Sequence, residues 1–530
     1  MFRIQTKGGQ IASWVTACLL PAVLAHAQLT DMSQTTPNVP GGAIGKSLEQ
    51  QIAAGQGDEN TYGSSIYLIR RDPARSIRRG RQLFQRKFTV DQGLGPRVSP
   101  DSAGNIQDHP AFGAGLSDSC AACHGRPRGA AGFGGDVATR PDSRDAPHLF
   151  GLGLVEMLAD EITADLRAIR DAALDKAASQ QEVVRDALSS KGILYGHIIV
   201  HPDGTVDTSE VEGIDADLRI RPFFAQGGTI SMREFIIGAF KAEMGLEVFD
   251  PVLCAVTDQN QLAMSPSGMM FDPALDTFER PPVCSEGEDG DQDGILNEVD
   301  VSLIDYMEFY LLNYFKPGQS EFSSFEQQGS ELFDEIGCIS CHVRNLTIEN
   351  DRRIADVETQ FDWEKGGFNH LFAVASTLFD IVPDGDPFPQ LLPRGDKFVV
   401  RNIFTDLKRH DLGPKFHERN YDGTLQTHFV TEPLWGVGTS APYGHDGRSI
   451  GLKEVILRHG GEAEPSRQAF QDLSPADQRK VLSFLQSLVL FPPDDTSSNL
   501  NPGVAGGHPQ TEHGSINLGA LFQIASEGLE

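Results

Sequence analysis

Cys120-Ala121-Ala122-Cys123-His124 and Cys338-Ile339-Ser340-Cys341-His342 decide the reading of this chain. Both are C-x-x-C-H, a spacing in which two thiols can add across the vinyl groups of a haem while the adjacent imidazole reaches the iron. With 7 Cys and 15 His in 530 residues, chance would supply about 0.003 such pentapeptides. A zinc site would need further Cys or His at short spacing, and a thiol redox pair needs no following His. The pattern predicts two covalently bound haem c groups, on His124 and His342.

The flanks repeat as well. Gly80-x-x-Leu83-Phe84 precedes the first site and Gly329-x-x-Leu332-Phe333 the second, each on an apolar-periodic stretch. This reads as the N-terminal helix of a cytochrome c domain used twice. Ser474-Pro475 opens a helix with a capping Ser and Pro at N1, and Val481, Leu482, Leu485 and Leu488 give it an apolar face. Ser231-x-x-Glu234 is a capping box before Phe235, Ile236, Phe240 and Met244, and a longer helical run with Leu158, Ile162, Leu166 and Ile169 ends near Gly192. Strand signals are few. The expected fold is mainly α: two cytochrome c-type haem domains with α-helical insertions and few short strands. The expected boundaries are 1–27 signal peptide, 28–75 N-terminal extension, 76–320 first haem domain with an insertion, 321–492 second haem domain, and 493–530 a tail rich in turn formers.

A formal charge of −30 argues against nucleic acid or an anionic membrane surface as partner. The 31 Phe against 8 Tyr and 3 Trp point to cores and apolar pockets. Arg3 and Lys7, the apolar Ile11 to Leu24 and the small-residue site Ala25-His26-Ala27 read as a cleavable signal peptide. A transmembrane anchor fits worse, because the apolar run is short and holds Pro21; lipidation at Cys18 is an alternative. The expectation is a periplasmic protein without a membrane span. In an oxidising compartment Cys254 and Cys284, outside the two motifs, pair naturally as a disulfide, with two buried thiols as the alternative.

Val430-Thr431-Glu432-Pro433-Leu434-Trp435-Gly436, Ala441-Pro442-Tyr443-Gly444-His445-Asp446-Gly447-Arg448 and Ile456-Leu457-Arg458-His459-Gly460-Gly461-Glu462-Ala463 follow in order. Together they resemble the C-terminal signature of the bacterial di-haem oxidoreductases. That family lies within the wider di-haem cytochrome c peroxidase superfamily, which also holds the tryptophan tryptophylquinone-forming maturation enzymes. Leu149-Phe150-Gly151-Leu152-Gly153-Leu154-Val155-Glu156 and Ala239-Phe240-Lys241-Ala242-Glu243-Met244-Gly245 are similar to the same family, so the resemblance covers about residues 76–490. Acidic insertions around 190–215 and 255–300 depart from it.

The resemblance implies an electron-transfer haem on the C-terminal domain, with a Met ligand after the Ala-Pro-Tyr-x-His segment. His459 occupies that position here, giving His342/His459 ligation and a lower potential than Met/His would give. A surface histidine at a helix C-terminus is the alternative. His445 is expected beside a haem propionate or His459. The haem on His124 is then the chemical site. Glu156, among apolar neighbours that would raise its pKa, is the candidate acid/base, with an exposed helix glutamate as the alternative. His148 and His109 are candidate sixth ligands there, and Trp435 either relays an electron between the haems or simply packs.

Asp289-x-Asp291-x-Asp293-Gly294 continues through Ile295, Asn297 and Asp300. This matches an EF-hand-type calcium loop at positions 1, 3, 5, 6, 7, 9 and 12, with Asp300 where Glu is usual and Val301–Phe315 as the exiting helix. Three functions follow. The first is an exported di-haem oxidoreductase that takes electrons at the second haem from a small cytochrome c or cupredoxin and reduces hydrogen peroxide at the first. The second is a di-haem electron-transfer protein, and the third a di-haem oxidase or oxygenase of an organic or protein substrate.

Overall fold

The two Gly-x-x-Leu-Phe segments become matching helix crossings in the computed structural model. It describes residues 55–85, 98–99, 102–103, 119–124, 135–136, 142, 144–149, 151–285, 287–288, 296, 298–313, 318–319, 323–354, 379–386, 388–420 and 422–489. In chain order the helices are α1 (Ser65–Arg71), α2 (Pro73–Gln85), α3 (Cys120–Cys123), α4 (Leu152–Gln180), α5 (Met232–Ala239), α6 (Pro251–Thr257), α7 (Val301–Asn313), α8 (Ser324–Glu335), α9 (Leu452–Arg458), α10 (Glu464–Asp472) and α11 (Pro475–Ser487).

Helix α2 crosses α7, and α8 crosses α11, each through a glycine. A Cβ on Gly80 would lie 2.2 Å from the Tyr306 carbonyl oxygen, and one on Gly329 would lie 2.0 Å from that of Lys480. No side chain fits there, so glycine sets the closest approach of each pair. Four residues on, each helix presents a phenylalanine. Phe84 packs against Tyr310 with ring centroids 5.8 Å apart, and Phe333 against Phe484 at 5.5 Å. Phe404 closes the second cluster, edge-on to both Phe333 and Phe484 at 5.7 Å. Rings at these separations favour tilted and edge-to-face contacts, which is what a phenylalanine-rich composition supplies.

The capping signals hold. Ser474 accepts a hydrogen bond from the Asp477 backbone N–H with Pro475 in the first turn, and Val481, Leu485 and Leu488 are buried. Ser231 likewise accepts from the Glu234 N–H. The Glu234 carboxylate does not return to the cap backbone; it accepts from the Ser231 hydroxyl and, at 3.0 Å, from the Glu279 N–H.

Helix outweighs strand among the described residues, but the expectation of α-helical insertions and few short strands needs correcting. The helix with Leu158, Ile162 and Leu166 in its core ends at Gln180, not near Gly192. Gln181 closes it in the left-handed region, φ 55°. A three-stranded antiparallel sheet follows: β1 (Val184–Ser190), β2 (Ile193–Val200) and β3 (Val206–Asp207). The turn between β1 and β2 is Lys191-Gly192, both with positive φ (50° and 82°), the handedness that a two-residue hairpin needs. This insertion is a β-element, and it reaches the C-terminal half. The Tyr195 hydroxyl donates to the Asp406 carbonyl at 2.9 Å, and Lys191 bonds both Glu161 and the Thr347 carbonyl. Elsewhere the sheets are two-stranded ladders of two to four residues, among them β4 (Arg409–Asp411) paired with β5 (His428–Val430). Cys254 and Cys284 form a disulfide.

Candidate functional site

Each C-x-x-C-H segment is a single tight turn. Cys120–Cys123 is one turn of α-helix and Cys338–Ser340 one of 3₁₀-helix, the latter entered through Gly337 at φ 83°. The His124 N–H donates to the Cys120 carbonyl at 2.9 Å, and that of His342 to Cys338 at 3.0 Å. The turn thus puts both thiols and the imidazole of each motif on one short loop. None of the four motif cysteines is in a disulfide.

Both imidazoles are oriented the same way. His124 Nδ1 lies 2.9 Å from the Pro147 carbonyl oxygen, and His342 Nδ1 lies 2.9 Å from that of Phe404. A carbonyl only accepts, so Nδ1 carries the proton and Nε2 keeps its lone pair, the tautomer of a proximal haem ligand. Burial pushes His342 down to about 4 and lowers His124, so both rings are neutral at pH 7, as a ligand must be. Phe84 and Phe333 flank the two rings at 6.4 and 6.3 Å. The residues therefore fit a haem on each motif.

Around the second motif, His459 caps the C-terminus of α9. Its Nδ1 is 2.7 Å from the Val455 carbonyl, which leaves Nε2 available, and its ring sits edge-on to Phe416 at 5.5 Å. Burial lowers the pKa of His459, so this ring too is neutral at pH 7. His445 stacks on Phe429, centroids 3.9 Å apart, and burial pushes it down to about 4. Its Nε2, 3.3 Å from Glu418, is thus part of a neutral contact rather than an ion pair. Phe416 stands between His445 and His459, 6.0 Å from the former and 5.5 Å from the latter.

Sequence reasoning missed His410. Its ring is clamped between Asp406 (2.9 Å) and Glu462 (2.7 Å), and the donor atoms of Cys341, Asp406 and His410 all lie within 4.8 Å of one another. Burial alone would lower its pKa, but Asp406 and Cys341 together hold it at about 11. A thioether at Cys341 would remove the thiolate share of that, and with it any separate metal site. Asp406 lies 4 residues away on a segment that is not helical and Glu462 lies 52 residues away, so sequence spacing does not announce the clamp.

Glu156 is buried and both its oxygens are occupied. Arg352 donates to Oε1 at 2.6 Å, and the Met232 N–H, in the first turn of α5, donates to Oε2 at 2.8 Å. Burial raises its pKa while Arg352 opposes the rise. The exposed-glutamate alternative is thereby excluded. Beside it Arg233 binds Asp250, Asp305 and Glu308, all four side chains being wholly buried. The Arg352 partnership spans 196 residues and left no signal in the sequence.

Trp435 is buried, and its ring lies on the backbone of Gly151, where a Cβ would meet Cζ2 at 2.6 Å. The His148 ring bonds the Trp435 backbone, and burial pushes it down to about 4. A continuous path therefore joins the two motif histidines. It runs from His124 to Pro147 O, from His148 to the Trp435 backbone, from the Leu434 N–H to Ile403 O (3.0 Å), and from Phe404 O to His342. His109 lies outside the described residues, as do Asp289, Asp291, Asp293, Ile295 and Asn297 of the acidic loop. Asp300 accepts from the Ser302 N–H at 2.8 Å and so caps the start of α7.

No protein of curated function matches this chain. Two solved structures superpose on it loosely. One is hydrazine synthase of Kuenenia stuttgartiensis, with TM-score 0.31 and 12% identity over 86% of this chain and 99% of that one. The other is a MauG-like protein associated with microbial copper homeostasis, with TM-score 0.21 and 15% identity over 55% of this chain and 76% of that one. Residues 397–488, which hold His410, Trp435, His445 and His459, match the family described as "Di-haem oxidoreductase, putative peroxidase".

Proposed function

We propose that this chain is an exported di-haem c-type oxidoreductase that takes electrons at the second haem and reduces peroxide at the first. The observation that carries the reading is the shared orientation of His124 and His342, each held through Nδ1 by a carbonyl and joined by one path past Trp435. The haems would supply two one-electron couples and, at the first site, an iron position for substrate; peroxide reduction to water takes two electrons. Pro147 and Phe404 fix the two imidazole tautomers. His459, with Nδ1 fixed by Val455, would hold the second haem through Nε2. Trp435 bridges the two sites.

Glu156 is the acid/base group in this reading. Peroxide cleavage needs a proton delivered to the departing oxygen, and burial raises the pKa of this carboxyl towards that task. Oε1 can carry the proton only when Arg352 releases it. That same engagement supports the second reading, a di-haem electron-transfer protein, in which Glu156 is structural. Export rests on the N-terminal pattern, which lies outside the described residues, and the Cys254–Cys284 disulfide supports it, since such bonds persist in oxidising compartments. No helix among the described residues is long and apolar enough to cross a membrane. Calcium at Asp289, Asp291, Asp293, Ile295, Asn297 and Asp300 is part of the proposal, as a structural ion.

The test is the visible spectrum of the holoprotein, oxidised and half-reduced, with peroxide titrated into each. A high-spin ferric component that reacts stoichiometrically supports an open first haem. Two low-spin haems that ignore peroxide in both states would overturn the peroxidase reading and leave an electron carrier.

A further inference from the structure

The surface beside His459 runs against the character of the rest of the chain. The molecule carries a formal charge of −30, yet an open depression of about 560 Å³ at this point is floored by Ile450 and Leu457 and rimmed by Lys415, Lys453 and Arg458. Ile450 is 84% exposed, far more than any other exposed large apolar side chain among the described residues. Arg448, two residues before Ile450, and Arg419 both face the mostly covered Asp142, at 3.9 and 2.6 Å, and their side chains are 58% and 66% exposed. Of the acids here, Asp142 and Asp446 are mostly covered and Glu454 is exposed, so the cations outnumber the accessible carboxylates. Asp446 is buried against Arg458, and the Glu454 carboxylate accepts from the Ile450 N–H at 3.0 Å.

The depression is also one side-chain layer from the second haem's proposed ligand. Leu457 and Arg458 directly precede His459. The Arg458 guanidinium lies over the Phe416 ring at 4.3 Å, and the other neighbour of that ring is His459 at 5.5 Å. An apolar centre within a ring of cations is what a transient redox complex uses. The apolar contact permits close approach, while the charges steer the encounter and choose the partner's sign.

We propose that this patch docks a small acidic redox protein that exchanges electrons with the second haem. The proposal rests on electrons entering at that haem. It states something net charge does not: the partner carries the same sign of overall charge as this chain and is recognised through a local patch of the opposite sign.

The experiment uses two soluble probes of opposite charge, an acidic plastocyanin and a basic mitochondrial cytochrome c, both oxidised, as acceptors from the reduced holoprotein in stopped flow. If the patch governs, the acidic probe's second-order rate falls as salt rises, despite like net charges. Lys453→Glu then lowers that rate about tenfold at low salt. Lys397→Glu, the same charge change on a lysine paired with Glu349 away from the patch, leaves it unchanged. Ile450→Asn, at a position too exposed to disturb folding, lowers the rate while preserving the salt slope. A rate with the acidic probe that rises with salt, or equal effects of Lys453→Glu and Lys397→Glu, would overturn the docking site. Peroxide turnover with a small-molecule donor, measured on the same variants, separates the two ideas. Retained turnover with no patch dependence refutes docking alone, and patch-dependent transfer without turnover refutes the peroxidase reading alone.

Discussion

Gly329→Ala tests whether backbone contact at the α8–α11 crossing sets the geometry of the second motif. The added Cβ would sit 2.0 Å from the Lys480 carbonyl oxygen and 3.0 Å from Phe484 Cβ. Even 3.0 Å is closer than real Cβ contacts come, so the helices must part by about 1 Å, and the obstacle is backbone that cannot rotate away. Overpacking of this kind costs about 1–3 kcal/mol. Alanine recovers at most about 1 kcal/mol through its better helix propensity. The expected net loss is thus up to about 2 kcal/mol, read as a lower urea midpoint with unchanged slope. Parting the helices also loosens Phe333 between Phe484 and His342, so the absorption of the second haem should shift while that of the first stays put. Gly238→Ala is the control: it is a helical glycine with nothing within 4 Å of its would-be Cβ, and it should gain about 0.5 kcal/mol. If Gly329→Ala gained stability as Gly238→Ala does, the reasoning would fail.

Arg352→Met leaves Glu156 and Asp160 without their shared cation and should cost about 3–5 kcal/mol at pH 8. The folded pKa of Glu156, already above its usual 4.5, rises further, so the loss grows as pH climbs above that value and shrinks towards pH 4; unfolding curves at pH 5 and 8 would show it. Reducing the Cys254–Cys284 bond, or replacing both residues by Ser, opens a loop of 30 residues in separation and should cost about 3.5 kcal/mol by loop-closure entropy, checked by urea unfolding. His459→Met should raise the midpoint potential of the second haem in a spectroelectrochemical titration, because thioether ligation favours the reduced iron; an unchanged potential and spectrum would show that His459 does not bind the iron.

Local patterns were legible and long-range ones were not. The two C-x-x-C-H turns, the paired Gly-x-x-Leu-Phe helices and the Ser474-Pro475 and Ser231 caps depend on residues within a few positions of each other. Sequence spacing reports such features directly. The hairpin at 184–200 was hidden because the adjacent Arg185 and Asp186 put a charge on each face of β1, and its bulge between Ala187 and Ser189 breaks the alternation. The two-residue ladders are too short to show any period. Arg144 and Glu418, a bidentate pair at 2.8 and 2.6 Å, lie 274 residues apart. Their meeting, like that of Arg352 with Glu156, follows from packing.

The buried charges bear on which chemistry the fold supports. Arg233 faces Asp250, Asp305 and Glu308 with no solvent to dilute them, and Arg352 faces Glu156 and Asp160. Asp160 is also held by Arg219 at 2.6 Å, so three guanidinium groups serve these five carboxylates. Burial raises Asp305 and pushes Glu308 up to about 7, with the neighbouring Glu156 adding to the latter. Near neutral pH the folded chain therefore keeps part of a proton on Glu308 that it gives up when unfolded. The cost of ionising Glu308 appears as pH rises from about 4.5 towards 7. An apolar cluster of similar volume would be no less stable, so fold stability alone does not require this arrangement. In the proposed reading, reducing peroxide to water would consume a proton for every electron, and a carboxyl pushed up to about 7 beside Glu156 would be a local store of them. Passing an electron between two six-coordinate haems draws on no such store.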